Sequence, residues 1–309
     1  MLKTITATAI IALMAAPLAL AGTKSLDLKG FDQIETKGAM NVIYTAGSDT
    51  SVVIETDGND FSDAKVSVDG DTLVITRVSI DKKGIFGGGA NLRVSDDGKT
   101  VRVNGKKVPS YTVRVTSPNL AGIKVAQSST GKASGIDAET FEARASSSGD
   151  LTLEGRAAKA TLEASSSGDL EADGFEAGLL DVSASSSGEV TALVADTGPT
   201  KIASSSSGEV TLRSLTAAQF EIDASSGGEV EASGLCASVD IDASSGADVD
   251  VSALNCETAT VSASSGADVE AFASASASGS ASSGADISFG GSPAQQQVNT
   301  SSGGDVTFR

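Results

Sequence analysis

The chain has 309 residues, a formal net charge of -18, two cysteines and no histidine or tryptophan. Without histidine the commonest general base and metal ligand is gone. The acid is unevenly placed: residues 1–132 carry net +3 and residues 133–309 net -21, a body that repels nucleic acid and anionic lipid and leaves cations or neutral glycans as small partners.

In chain order, Met1 to Ala21 holds one lysine, an apolar run from Ile5 to Leu20 and the ending Ala19-Leu20-Ala21. This reads as a signal peptide over residues 1–21, because the run is too short and wrongly flanked to be kept as a span. The expectation is export, to the periplasm or the extracellular cell surface, with no transmembrane segment after cleavage. No cysteine stands at the cut to take a lipid.

Residues 22–122 read as an N-terminal β cap. Alternating stretches lie around Val42, Val52, Val66, Leu73, Leu92, Val101 and Val113. Asp69-Gly70 and Asp97-Gly98 between pairs of them predict two antiparallel hairpins. Thr36 to Val42 looks like a degenerate first rung. Gly84 to Gly89 lacks the Gly-Lys-Ser/Thr ending of a phosphate loop and predicts an irregular loop. Lys82, Lys83, Arg93, Lys99, Arg102, Lys106 and Lys107 make this region locally basic.

From residue 123 to 309 one phrase, Ser-Ser-x-x-charged, returns every 18 to 20 residues. It opens at Ser128 to Lys132, and its later copies end on the acids Asp150, Asp169, Glu189, Glu209, Glu229, Asp248, Asp268, Asp286 and Asp305. Counting from the charged residue, an apolar residue follows at one place, from Leu151 to Val306. Another precedes by seven, as Val125, Leu162, Val182, Ile202, Ile222, Ile241, Val261 and Val298. Odd positions therefore point inward. On that parity the residues five, three and one before the charge, usually Ala, Ser and Gly or Ala, are inward too, with the serine buried in a hydrogen-bonded polar column. A circuit of about 19–20 residues predicts an all-β, right-handed parallel β-helix (a β-solenoid) with an N-terminal antiparallel β cap. Pro293 and Gln295 to Gln297 would supply a polar last circuit.

Two outward columns result. One is the row of nine acids, spaced by the strand separation; as a solvated face it solubilises, and as a site it is a ladder of weak Ca²⁺ positions. The other is a hydroxyl row, Ser146, Ser165, Ser185, Ser205, Ser225, Ser244, Ser264 and Ser282, suited to lying along a glycan. Cys236 and Cys256 occupy equivalent positions in adjacent circuits, close enough for a disulfide worth about 3 kcal/mol. The alternative is two free buried thiols.

Tyr111 to Ile123, read Tyr-Thr-Val-Arg-Val-Thr-Ser-Pro-Asn-Leu-Ala-Gly-Ile, together with Phe31-Asp32-Gln33-Ile34 and Gly38 to Val42, resembles the bacterial GIN-domain family. That family is described as the head of autotransporter adhesins. The resemblance covers the chain from about Phe31 onward and implies an exported β-helix, adhesion at the cell envelope and no catalytic residues.

The reading is an exported, non-enzymatic binding or adhesion module displaying serine and carboxylate columns to a glycan or other cell-surface ligand. The alternative is a Ca²⁺-dependent structural protein that self-associates, and a polysaccharide-active enzyme would need one cleft of unlike residues.

Overall fold

The computed structural model describes residues 22–81, 91–95, 100–196 and 198–309. The leader, the glycine run, the Asp97-Gly98 turn and Lys82, Lys83 and Lys99 lie outside the described residues. The chain is 73% strand and 1% helix, wound into a β-solenoid of about nine turns.

A circuit is one strand of 15–17 residues closed by a tight turn, as in Asp150–Ser165, Asp169–Ser185 and Glu209–Ser225. Successive circuits pair in parallel, Asp150 beside Asp169 and Ser165 beside Ser185. Alternation is reset twice within a strand. In Asp150–Ser165 no side chain from Glu154 to Arg156 is buried, and Ala158 and Lys159 are both exposed. Each circuit thus has three walls, meeting at the tight turn and at two softer bends.

The tight turn explains the motif. Ser147 and Ser148 have φ of 53° and 58°, and the amide of Gly149 donates to the carbonyl of Ser146 at 3.0 Å. Two consecutive left-handed residues cost on the order of 1 kcal/mol each unless they are Gly or a short polar residue. Serine fills the first place in most copies, and glycine takes the second at Gly227, Gly246, Gly266, Gly284 and Gly303. The turns also bond one another: the Ser147 amide donates to Ser165, the Ser148 amide to Ser166 and the Asp169 amide to Gly149. Just before the acid the backbone of the preceding circuit passes so close that a Cβ on Gly168 would stand 2.5 Å from the Ala145 carbonyl. Ala247, Ala267 and Ala285 fit there by opening the turn, whose hydrogen bond lengthens from 2.9–3.0 Å in the glycine copies to 3.2–3.3 Å.

Two expectations are corrected. The serines three before the acid, such as Ser147 and Ser166, are exposed, because strand parity does not survive a left-handed pair. The first copy is also read two residues late. Thr130, not Lys132, pairs with Asp150, and Gln127 and Ser128 hold the left-handed positions. Ile123 rather than Val125 therefore continues the column of Ala143 and Leu162.

The core is the stack of inward columns. Leu151, Leu170, Val190, Val210, Val230, Val249, Val269 and Ile287 are each at most 2% exposed, and Phe141 packs on Phe175 with ring centroids 5.3 Å apart. Gln33–Lys37 and Asn41–Ala46 form a full first rung beside Gly122–Ala126 and Thr130–Ser146. Beyond it lie Thr72–Arg77 and Tyr111–Ser117, also parallel. Between these two, where a tight turn belongs, the chain inserts residues 78–110. These include an antiparallel sheet of Leu92–Val94, Val101–Val103 and Lys106–Val108, with an unforeseen hairpin at Asn104-Gly105, both at positive φ.

Arg77 substitutes for the missing turn. It is fully buried and donates from Nε to the Gly38 carbonyl at 2.6 Å and from Nη2 to the Ala39 carbonyl at 3.1 Å. It also pairs with Asp63 at 3.2 Å and lies 5.0 Å from the Tyr111 ring. Antiparallel strands then cover the end: Ser51–Thr56 on Tyr111–Ser117, Gly22–Leu26 on Ser51–Thr56, and Ala64–Asp69 on Thr72–Arg77.

Gly168→Ala is expected to lower stability by about 1–3 kcal/mol through overpacking, whereas Ser167→Gly, which relieves a left-handed residue, lowers it little or raises it. Arg77→Met is expected to cost about 3–5 kcal/mol by stranding Asp63 and two carbonyls. Urea unfolding of the three variants measures all of these.

Candidate functional site

Both outward columns are built by the parallel register. Ser146, Ser165, Ser185, Ser205, Ser225, Ser244, Ser264 and Ser282 are nearest neighbours in that order and continue to Ser301. The eight from Ser146 to Ser282 are half-buried, since each sits at the last residue of a wall, and Ser301 is exposed. The result is one hydroxyl per rung along the shoulder of the tight turn.

Across that turn, Asp150, Asp169, Glu189, Glu209, Glu229, Asp248, Asp268, Asp286 and Asp305 pair consecutively and are all exposed. Two residues on, Glu231, Asp250 and Glu270 form a second acidic row beside the first. From Glu229 onward these rows line a surface groove of about 720 Å³ that includes Arg309, whose guanidinium lies 3.5 Å from Glu270. Among the described residues, no group of three or more Asp, Glu or Cys is arranged to hold a metal ion.

The crowding shows in the proton affinities. Loss of solvation, then Asp169, raises the pKa of Asp150. Loss of solvation followed by Glu189, Glu229 and Glu231 raises Glu209, and loss of solvation followed by Asp268, Asp250 and Glu270 raises Asp248. On the serine side of the turn, Asp223 is raised in the same way, by loss of solvation and then Asp242. Earlier on that wall the acids are matched: Lys124 with Glu142 at 3.2 Å, Arg144 with Glu163, Lys159 with Asp181 at 3.7 Å and Lys201 with Glu221 at 2.6 Å. The wall therefore grades from ion-paired to acidic as far as Asp242, and its later strands carry no charge.

Cys236 and Cys256 are register partners and are disulfide-bonded, with Cα atoms 4.3 Å apart. The bridge ties two middle rungs on a wall away from the serine and acid columns.

A cleft of unlike groups, which the repeat gives no means of foreseeing, lies between the inserted sheet and the first rungs. It encloses about 630 Å³ and is lined by Asn41, Thr112, Thr130, Lys132, Ser148 and Asp150 among others. Lys132 is engaged with Glu154 at 2.9 Å. The cleft depends on where the strands Leu92–Val94 and Val101–Val103 lie against the rungs, and the hint in the chain is the break in composition there. It joins the first acid of the column, Asp150, to neutral hydroxyl and amide groups.

The family model described as "Putative auto-transporter adhesin, head GIN domain" matches residues 30–205 and 194–293. Among solved structures, the chain is similar to a "putative lipid binding protein" from Parabacteroides distasonis, 14% identical over 94% of this chain and 96% of that one, with a TM-score of 0.45. It is also similar to a "putative adhesin" from Parabacteroides distasonis (15% identity, 94% and 97% covered, TM-score 0.42) and to another from Parabacteroides merdae (13%, 94% and 96%, 0.41). No curated protein matches the chain.

Raised carboxyl pKa values mean that the folded state holds more protons than the unfolded chain, from the ordinary carboxylate range near 4 up to the raised values. Stability therefore falls as pH rises through that window. The exposed Asp60 and Asp137 are shifted down and act in the opposite sense. The expected outcome is a melting temperature higher at mildly acidic than at neutral pH, with added salt narrowing the gap by screening. Glu209→Gln should raise stability at neutral pH and flatten the profile; a variant less stable than wild type at neutral pH would contradict this.

Proposed function

This chain belongs to the GIN-domain family, and from that premise we propose that it is an exported, non-enzymatic adhesion module that presents its serine and carboxylate columns to a glycan or other surface ligand at the cell envelope. The observation that carries the reading is the strict register of both columns, one hydroxyl and one carboxylate per rung on either side of the same turn. Repeated identical groups suit a repeated ligand, because many weak contacts add when they are held at a matching spacing. Catalysis needs a single constellation of unlike groups held in fixed relation, and in the one described cleft of unlike groups the lysine, Lys132, is already ion-paired with Glu154. A column of the same acid offers instead the same weak contact many times.

The ordered backbone supports this reading energetically. Every presented hydroxyl follows a strand residue locked between two rungs, so binding orders few new groups and loses little conformational entropy. The carboxylates favour a neutral or cationic partner and disfavour anionic polysaccharide.

The test is retention of the mature protein on intact cells and on neutral polysaccharide. Replacing Ser185, Ser205 and Ser225 by alanine is expected to weaken retention by roughly tenfold or more, about 1.4 kcal/mol, with the melting temperature held. Retention unchanged in that variant sinks the hydroxyl column as the contact surface. Retention abolished by chelator and restored by Ca²⁺ would replace this reading with the cation-dependent one.

A further inference from the structure

The two ends of the rod differ in how they treat an open sheet edge. At the N-terminal end the outer strands Gly22–Leu26 and Ala64–Asp69 run antiparallel to their neighbours and carry Lys24, Lys65 and Asp69. Charged side chains on a last strand deter pairing with another chain. At the other end the last strand of the serine-side wall, Gln295–Ser301, has no charge and pairs only with Asp268–Ser282 among the described residues. Its outer row of amides and carbonyls has no strand against it.

The neutral character reaches back beyond that strand. On the same wall Thr258–Ser264 and Ser276–Ser282 carry no charge, the last acids there being Asp240 and Asp242, and no charged residue lies between Asp286 and Asp305. The core also stays open at this point. Val298 continues the inward column of Val261 and Gly279 yet is 49% exposed, because none of the described residues covers this rung. Gln296 and Thr300, on the same inward face, are exposed as well.

We propose that the strand Gln295–Ser301 is an interface between two copies of this chain, which pair antiparallel, edge to edge and tail to tail, about a two-fold axis. Charge selects the occupant: bodies of net -21 beyond residue 132 repel along their acidic walls, and the uncharged wall that ends in Gln295–Ser301, set beside the acidic groove, is where two copies approach with least repulsion. A two-fold contact also closes on itself. A one-residue slip would turn the inner face outward, so the registers allowed place Val298 opposite Val298, Gln296 or Thr300 of the second copy. In each of them the open core of one rod is continued by that of the other.

Light scattering coupled to size exclusion, run on the mature chain over a range of micromolar concentrations, tests the proposal. The expected result is a species of twice the chain mass that dissociates on dilution. Val298→Lys, which places a charge at the axis, and Gln296→Pro, which removes an edge donor, should each leave a monomer. Circular dichroism and melting temperature close to wild type would show that both variants fold. A Val298→Cys variant should form a disulfide-linked dimer on mild oxidation. Wild type that stays monomeric throughout, a dimer that survives both substitutions, or filaments that grow without limit would each overturn the assignment.

Discussion

The fold depends on hydrogen bonding between successive tight turns. In most circuits the second residue of the left-handed pair donates its amide to the turn of the next circuit, and the residue after it brings its backbone against the strand of the circuit before. That contact admits Gly, or Ala with the turn slightly opened, and the pair itself admits Ser, Gly and little else. Once the turns stack, the circuits must be close to equal in length and the strands must pair in one register. The serine and acid columns follow directly, since each is a fixed number of residues from the turn.

The magnitudes show why a row of stacked acids is tolerated. Neighbouring carboxylates about 4.8 Å apart repel by roughly 0.9 kcal/mol in water before screening. Each rung also buries a Val, Leu or Ile immediately after the acid, and full burial of such a side chain is worth about 1.5–3 kcal/mol. The inward column therefore outweighs the outward one in every circuit. On the serine-side wall the first rungs match acid with Lys or Arg, and later ones drop the charge altogether. The acidic groove toward the C-terminal end keeps unmatched carboxylates, with Arg309 alone beside Glu270. The rod thus presents a graded surface on a uniform core.

The repeat made the parallel stack, the inward columns and the Cys236–Cys256 juxtaposition legible, because a parallel solenoid turns sequence period into spatial adjacency. It failed where parity was carried through the turn: Ser147 has the spacing of an inward residue and the backbone of an exposed one. It failed again at the first copy, where Lys132 offered a charge at the right distance from Ser128 while Thr130 held the structural position. Arg77 could not be read, since its partners Gly38, Ala39 and Asp63 are 14 to 39 residues away and its role exists only because a turn is missing. The cleft beside the inserted sheet was hidden for the same reason: the insert does not repeat. The two soft bends leave only pairs of consecutive exposed residues, which a polar surface also produces.

The account's central claim is that the turn ladder holds the solenoid together, and native-state hydrogen exchange tests it most directly. The amides of Ser148, Ser167 and Ser187, which donate to the turn of the next circuit, should exchange as slowly as those of the core residues Leu151, Leu170 and Val190 beside them. Free exchange at the serines with protection retained in the strands would contradict it, and would make the turns passive connections between strands that stack by themselves.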